Sequence, residues 1–388
     1  MRYYLIAGEA SGDLHGSNLI KGLLSEDPQS RFRFFGGEKM LQASAGRGEL
    51  VRHYKDGAVM GLGDVLGKAG YLLRKLSDCK ADILSYNPDV VILVDYPGFN
   101  MKIARFCHKR GIRVFYYIAP KTWASRAGRN RQLKKYVDKL YIIFPFECNY
   151  FEAHKIPYVY LGNPLLDAIR NCPAIGESQE EFRGRCGLDG RDYVAILAGS
   201  RSGEIRRMMP VCTELVERLS RREDCADLQY VIAAAPSVDV EVYRKLVPPE
   251  LADRVKVVQG ETYPVLSHAR AAIVNSGTAS LETAIIGTPQ VVCWSTGAFT
   301  AWIARHVLHV MDHIKYVSLG NLCIDKLAFR ELIQEDFNVD ELEKEVLRLL
   351  FDEEYRDSMI CDYGDICTVL GGDGASNKIA KSMIQNIL

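Results

Sequence analysis

Ser276-Gly-Thr-Ala-Ser-Leu-Glu-Thr-Ala-Ile-Ile-Gly-Thr-Pro289 is the stretch that decides how the rest of this chain is read. The apolar run Ala271 to Val274 precedes it and Gln290-Val-Val-Cys-Trp294 follows it, and each reads as a buried strand. Gly277 permits a sharp turn, Ser276 or Thr278 can cap a helix that starts there, and Gly287 with Pro289 ends it. The stretch is therefore strand, tight turn, short helix, strand. A helix that begins straight after a parallel strand offers free backbone N–H groups and the positive end of its dipole, which suits a phosphate. Glu282, in the first turns, can accept hydrogen bonds from the vicinal hydroxyls of a sugar. An ordinary βαβ turn carrying a surface glutamate satisfies the same spacing.

The remainder of the second half repeats the alternation. Tyr193 to Leu197 reads as a strand and runs into Ala198-Gly-Ser-Arg-Ser-Gly203, with a helix resuming around Pro210. This is a second phosphate-compatible turn, and it carries Arg201, whose planar fork matches phosphate oxygens. Gln229 to Ala234 and Val255 to Val258 supply further strands. Lys315 to Asn321 reads as a polar loop near the end of the core.

The first half is built likewise. Tyr3 to Ala7 is a strand leading into Gly8-Glu-Ala-Ser-Gly-Asp13 and a helix through Leu24. Gly8, Gly12 and Gly16 are four apart, which is not the Gly-x-Gly-x-x-Gly fingerprint and disfavours a nicotinamide enzyme. Helix capping is the plain role for Glu9, Ser11 and Asp13. Phe32 to Phe35, Asp89 to Val94, Arg113 to Ile118, Leu140 to Phe144 and Tyr158 to Leu161 are the remaining strands. Asp95 follows the most strand-like of them. In an open parallel sheet that position faces the ligand crevice, and partial desolvation there raises a carboxyl toward a usable base. An Asx turn into Pro97 is the alternative. Between Gly57 and Leu76 the apolar residues fit one or two amphipathic helical turns interrupted by glycines. The segment reads either as a loose core helix or as an apolar patch for acyl chains and a membrane surface, with Val59, Met60, Leu62, Val65 and Leu66 as its contacts. The basic run from Lys121 to Lys139 is a solvated face or a site for phosphates.

The chain has 388 residues, enough for two cored domains, and is 48% hydrophobic and 25% charged, as globular chains are. Its formal net charge is zero, which argues against nucleic acid as a partner, so any anion site is local. Eleven cysteines without a Cys-x-x-Cys pair read as reduced thiols in a cytoplasmic protein. No apolar run approaches the ~18 residues of a membrane span, and the N-terminus is too short and acidic for a signal peptide. Gly162-Asn-Pro164, followed by Pro173 and Gly176, marks a domain boundary.

Together these motifs resemble the lipid-A-disaccharide synthase family, family-19 glycosyltransferases of GT-B type. Ala7-Gly-Glu-Ala-Ser-Gly-Asp13 looks like its N-terminal signature. Val59-Met-Gly61 with Val65-Leu-Gly67, Asp95 with Phe99-Asn100, Gly199-Ser-Arg201, Ser276 to Glu282, and Tyr316-Val-Ser-Leu with Asn321 follow in order. The resemblance implies an α/β GT-B fold, two Rossmann-like parallel-sheet domains facing a central cleft. The acceptor and membrane-facing domain would span residues 1–168, joined by a C-terminal helix at 374–388, and the UDP-sugar domain residues 185–365. It implies transfer from UDP-2,3-diacylglucosamine to 2,3-diacylglucosamine 1-phosphate, giving a β-1′,6-linked disaccharide and UDP. The work would be done at the cytoplasmic face of the inner membrane, by a peripherally bound protein whose oligomeric state is left open.

Asp95 falls at the family's catalytic position, and Arg201 would stabilise the departing pyrophosphate. Glu9, Ser11 and Asp13 in the signature, and Gly199, Ser200, Ser276, Gly277, Thr278, Ala279, Ser280, Glu282 and Asn321, are the expected substrate contacts. Gly98, Ser125, Asn163 and Gly320 depart from the family pattern without removing the base or the UDP motif. One carboxylate base suffices for an inverting transfer, and backbone dipoles can do part of a metal's work. With Asp239-Val-Glu241 as the nearest approach to an Asp-x-Asp motif, neither a metal nor another cofactor is expected. The rival readings are a non-hydrolysing UDP-sugar epimerase on the same architecture and a non-enzymatic nucleotide-sugar or lipid binder.

Overall fold

A computed structural model of the chain describes residues 1–57, 65–123, 128–296 and 315–387. It divides into two units, Met1–Ala168 with Leu370–Leu388, and Ile169–Val369.

The first unit is a seven-stranded sheet in the order β3-β2-β1-β4-β5-β6-β7. Its strands are β1 (Arg2–Ala7), β2 (Arg31–Gly36), β3 (Gly48–His53), β4 (Val90–Val94), β5 (Val114–Tyr117), β6 (Lys139–Ile142) and β7 (Val159–Tyr160), and every pairing is parallel. A central parallel strand covered on both faces needs apolar residues throughout. Val90-Val-Ile-Leu-Val94 meets that need, and all five are fully buried. The edge strand β3, Gly-Glu-Leu-Val-Arg-His, is only half-buried. It has no apolar run, and no strand was expected there from the sequence.

The second unit has six parallel strands in the order β10-β9-β8-β11-β12-β13. They are β8 (Tyr193–Leu197), β9 (Gln229–Ala234), β10 (Val255–Gln259), β11 (Ala271–Asn275), β12 (Gln290–Trp294) and β13 (Glu331–Ile333). Counted from its own first strand, this sheet runs 3-2-1-4-5-6, the doubly wound order. The first six strands of the first unit run the same way. The strand order of each sheet reverses once, between β1 and β4 in one and between β8 and β11 in the other. Loops leaving the carboxyl ends of those strands diverge there and leave a crevice for a ligand.

Three expectations about helices are corrected. Residues 58–64 of the segment read from Gly57 to Leu76 lie outside the described residues, and its later part does not stop after one or two turns: a single helix spans Val65–Tyr86, with Lys75, Leu76, Cys79 and Ile83 buried along one face. The helix after Arg201 begins at Ser202 and places Pro210 in its interior rather than in its first turn. The polar loop expected at 315–321 ends in a helix, Leu319–Ile324.

The last helix, Ala375–Gln385, belongs to the first unit and packs on the helix Ala10–Glu26 through buried Ile379, Ala380 and Met383. Asp167, itself buried, fixes its start: the two carboxylate oxygens accept the Gly374 and Ser376 backbone N–H groups at 2.7 Å each.

Candidate active site

At the first switch point, Ala7 pairs with Val94, so the chain leaves the sheet at Gly8 and Asp95 side by side. Asp95 and Tyr96 both take left-handed backbone angles, φ 43° and 48°. Two consecutive side-chain-bearing residues in that region cost about 1–3 kcal/mol each, and such strain collects at functional sites. The surroundings hold it in place. The Asp95 N–H donates to the Tyr117 carbonyl at 3.0 Å. The Asp95 carbonyl accepts from the Tyr116 hydroxyl at 2.7 Å and from Asn100 Nδ2 at 2.8 Å. Tyr96 then opens the helix Pro97–His108, and its ring lies across Gly8, where a Cβ would come within 2.5 Å of three ring carbons. Only glycine fits.

The Asp95 side chain is half-buried. Burial pushes its carboxyl above the ordinary aspartate range and nearby Glu9 adds to this, while Lys121 and Arg129 pull it back. Glu9 and Ser11 are exposed at the start of the helix Ala10–Glu26. Asp13 is buried and does not cap its own helix. It accepts the Gly37, Lys39 and Met40 N–H groups at 2.7, 3.2 and 3.2 Å, so its carboxylate is committed to the turn after β2. Lys75 is nearly buried as well, its ammonium lying 5.6–6.0 Å from the ring centroids of Phe35, Tyr96 and Phe99. Of the expected acyl contacts, Val59, Met60 and Leu62 lie outside the described residues. Val65 and Leu66 begin the helix Val65–Tyr86, with their side chains outside the description.

At the second switch point Leu197 pairs with Val274, which brings Gly199-Ser-Arg201 beside Ser276-Gly-Thr278. Gly199 has φ 110°, and a Cβ there would strike Glu204 at 2.7–2.8 Å. Its carbonyl accepts from the Tyr243 hydroxyl at 2.8 Å. Glu204 takes the Ser200 N–H at 3.1 Å and touches Arg201 at 3.2 Å. That ion pair is a weak one, because the Arg201 side chain is 72% exposed and water competes for it. The neighbouring helix, Thr278–Ile286, is capped by Gly277 and not by the hydroxyl of Ser276 or Thr278, as was expected. Among the described residues no side chain occupies its N-terminal donors. Ser280 turns inward to the Gly277 carbonyl at 2.9 Å, while Thr278 is exposed and Ala279 half-buried. Glu282 is held from the side by the Tyr263 hydroxyl at 3.0 Å, and burial lifts its carboxyl above the ordinary glutamate range.

Asn321 is fully buried. Its amide donates to the Phe329 carbonyl and to Glu331, and its oxygen accepts the Ala328 and Phe329 N–H groups. Glu331 also takes the N–H groups of Val317 and Ser318, so this carboxylate on β13 organises the whole Tyr316–Asn321 segment. Glu331, Tyr263, Tyr243 and Tyr116 were not singled out in the sequence. Each acts through a partner 10–44 positions away, which no local pattern signals. Among the described residues no group of three His, Cys, Asp or Glu side chains is arranged to hold a metal ion, and no helix is long and apolar enough to cross a membrane.

Two doubly wound parallel-sheet units, each with a glycine-bearing polar loop at its switch point, define a protein of GT-B architecture. A family model described as lipid-A-disaccharide synthetase matches residues 3–366, and the chain belongs to that family. It is 34% identical to the lipid-A-disaccharide synthase of Geobacter sulfurreducens, over 99% of this chain and 97% of that one. It is also 34% identical to that of Syntrophus aciditrophicus, over 97% and 95% of the two chains. The crystal structure of UDP-GlcNAc 2-epimerase from Neisseria meningitidis bound to UDP-GlcNAc superposes with a TM-score of 0.69 over all of both chains. At 14% identity that likeness speaks for the fold alone.

Proposed function

We propose that this chain transfers 2,3-diacylglucosamine from UDP to the 6-hydroxyl of 2,3-diacylglucosamine 1-phosphate with inversion, releasing UDP and the β-1′,6-linked disaccharide. The observation that carries this reading is the division of chemical labour between the two switch points. One presents a strained, half-buried carboxylate at Asp95. The other presents a helix start with no side-chain cap beside an exposed arginine.

In the proposed reaction Asp95 takes the proton of the acceptor's 6-hydroxyl as that oxygen bonds to the anomeric carbon. The bond from that carbon to the UDP oxygen breaks on the opposite face, and the electron pair leaves with UDP. Arg201 and the N–H groups at Gly277 to Ala279 stabilise the charge that grows on the pyrophosphate. Ser276, Gly199 and Ser200 shape the floor of that phosphate site, and Glu282 accepts the ribose hydroxyls. Glu9 and Ser11 touch the acceptor sugar. Asp13 and Asn321 serve by holding their loops, and Ser280 by bracing the helix start. The segment with Val59, Met60, Leu62, Val65 and Leu66 meets the acyl chains at the cytoplasmic face of the inner membrane.

The test is to incubate the purified chain with both acylated sugars in detergent micelles and follow products by mass spectrometry. Disaccharide and UDP in equal amounts are expected. An epimerised sugar nucleotide, or binding without turnover, overturns the reading.

A further inference from the structure

Glu282 and Tyr263 stand 19 positions apart on two short helices, Thr278–Ile286 and Thr262–Ser267, that pack on each other. The tyrosine's helix is rigidly seated. Val265 and Leu266 are fully buried, the Val265 carbonyl accepts from the Tyr193 hydroxyl at 2.8 Å, and the Leu266 carbonyl from Thr288 Oγ1 at 2.7 Å. From this base the Tyr263 hydroxyl donates to Glu282 Oε1 at 3.0 Å. Among the described residues Glu282 Oε2 has no partner.

A glutamate has three rotatable side-chain bonds, and fixing them costs conformational entropy. A carboxylate that is to tell a ribose from its deoxy analogues must be both oriented and ionised, because only the ionised form accepts from two hydroxyls without donating. Burial works against ionisation here, and the tyrosine's donated bond works for it. The same bond sets the carboxylate plane and leaves Oε2 and one lone pair of Oε1 for a vicinal diol.

We infer that Tyr263 is a positioning residue for nucleotide selectivity, fixing Glu282 so that the site prefers a uridine diphosphate with intact ribose hydroxyls over its deoxy analogues. This rests on the reading of Glu282 as the ribose ligand. Tyr263 does not touch the reacting atoms.

The test measures the affinities of UDP, 2′-deoxy-UDP and 3′-deoxy-UDP by calorimetry for the wild type, Tyr263→Phe and Glu282→Ala. A hydrogen bond to a charged group predicts a wild-type preference for UDP of about tenfold or more over at least one deoxy analogue. Tyr263→Phe keeps the ring and its packing, and is expected to cut that ratio about three- to tenfold. Glu282→Ala is expected to bring it near one. If Glu282→Ala keeps the wild-type ratio, the ribose reading itself fails. If Glu282→Ala collapses the ratio while Tyr263→Phe preserves it, the ribose reading stands and Tyr263 has no part in selectivity. Equal weakening of all three ligands by Tyr263→Phe leaves the ratio unchanged, marks a merely structural role and likewise overturns the inference.

Discussion

Gly8→Ala probes the coupling between a glycine after β1 and the proposed base after β4, three strands on in sequence order but adjacent in the sheet. A methyl group at residue 8 would sit 2.2, 2.4 and 2.5 Å from Cγ, Cδ1 and Cδ2 of Tyr96. Carbon atoms pack no closer than about 3.5 Å, so the ring must retreat by roughly 1.3 Å. It cannot do so freely. Its other neighbours are Phe99, stacked at 5.5 Å, and the Lys75 ammonium at 5.6 Å, and its backbone is already in the left-handed region. The adjustment must therefore pass into the Asp95–Tyr96 backbone. Overpacking of this kind costs about 1–3 kcal/mol, which corresponds to about 3–10 °C in Tm for a domain of this size. A catalytic group displaced by about 1 Å loses on the order of a hundredfold in rate. Steady-state kinetics should show kcat reduced by about that factor, while calorimetry finds UDP affinity unchanged, because the loops proposed to bind UDP lie in the other unit. Combining it with Tyr96→Ala, which removes the obstructing ring, should destabilise by less than the sum of the two single changes. Wild-type kcat and Tm in Gly8→Ala would refute the reasoning.

Three further outcomes follow from particular contacts. Arg201 is exposed and loosely paired, so Arg201→Ala should leave Tm unchanged yet lower kcat about 10²–10³-fold, as loss of a transition-state donor does; an unchanged kcat removes it from the mechanism. As the proposed base, Asp95 must be ionised, so kcat/KM should fall as pH drops through its pKa. Because burial raises that pKa, the acid limb should lie above the ordinary aspartate value of about 3.9, and a profile flat down to that value would contradict the assignment. Asp167→Ala leaves the N–H groups of Gly374 and Ser376 without their acceptor, and should cost about 1–2 kcal/mol and speed amide hydrogen exchange across Ala375–Gln385. Unaltered protection there would show that the last helix is held by its apolar face alone.

What the sequence made legible was what short-range pattern encodes. β4 is an unbroken apolar run and β11 is one as far as Val274, and the turns after β4, β8 and β11 carry residues whose chemistry is plain without a structure. The two strands that escaped notice, β3 and β13, are both sheet edges, where half-exposure dissolves the apolar signal. The helix Val65–Tyr86 was read too short because its outer face is charged and its inner face includes a buried lysine. The expected caps at Ser276 and Thr278 failed for a different reason: Gly277 takes the cap position and leaves the helix start open. Asp13 and Asn321 are expected substrate contacts by the family resemblance, and their structural surroundings were not legible in the sequence. Their partners at Gly37 to Met40 and at Phe329 to Glu331 are supplied by other elements, and only the folded chain brings these together.

The most direct test of the central claim is single-turnover formation of disaccharide by Asp95→Asn at saturating UDP-diacylglucosamine, with UDP affinity measured on the same preparation. Loss of a general base predicts a rate about 10²–10⁴-fold below wild type with UDP binding intact. A rate within about threefold of wild type would contradict it, since so small a loss is far below what a general base contributes.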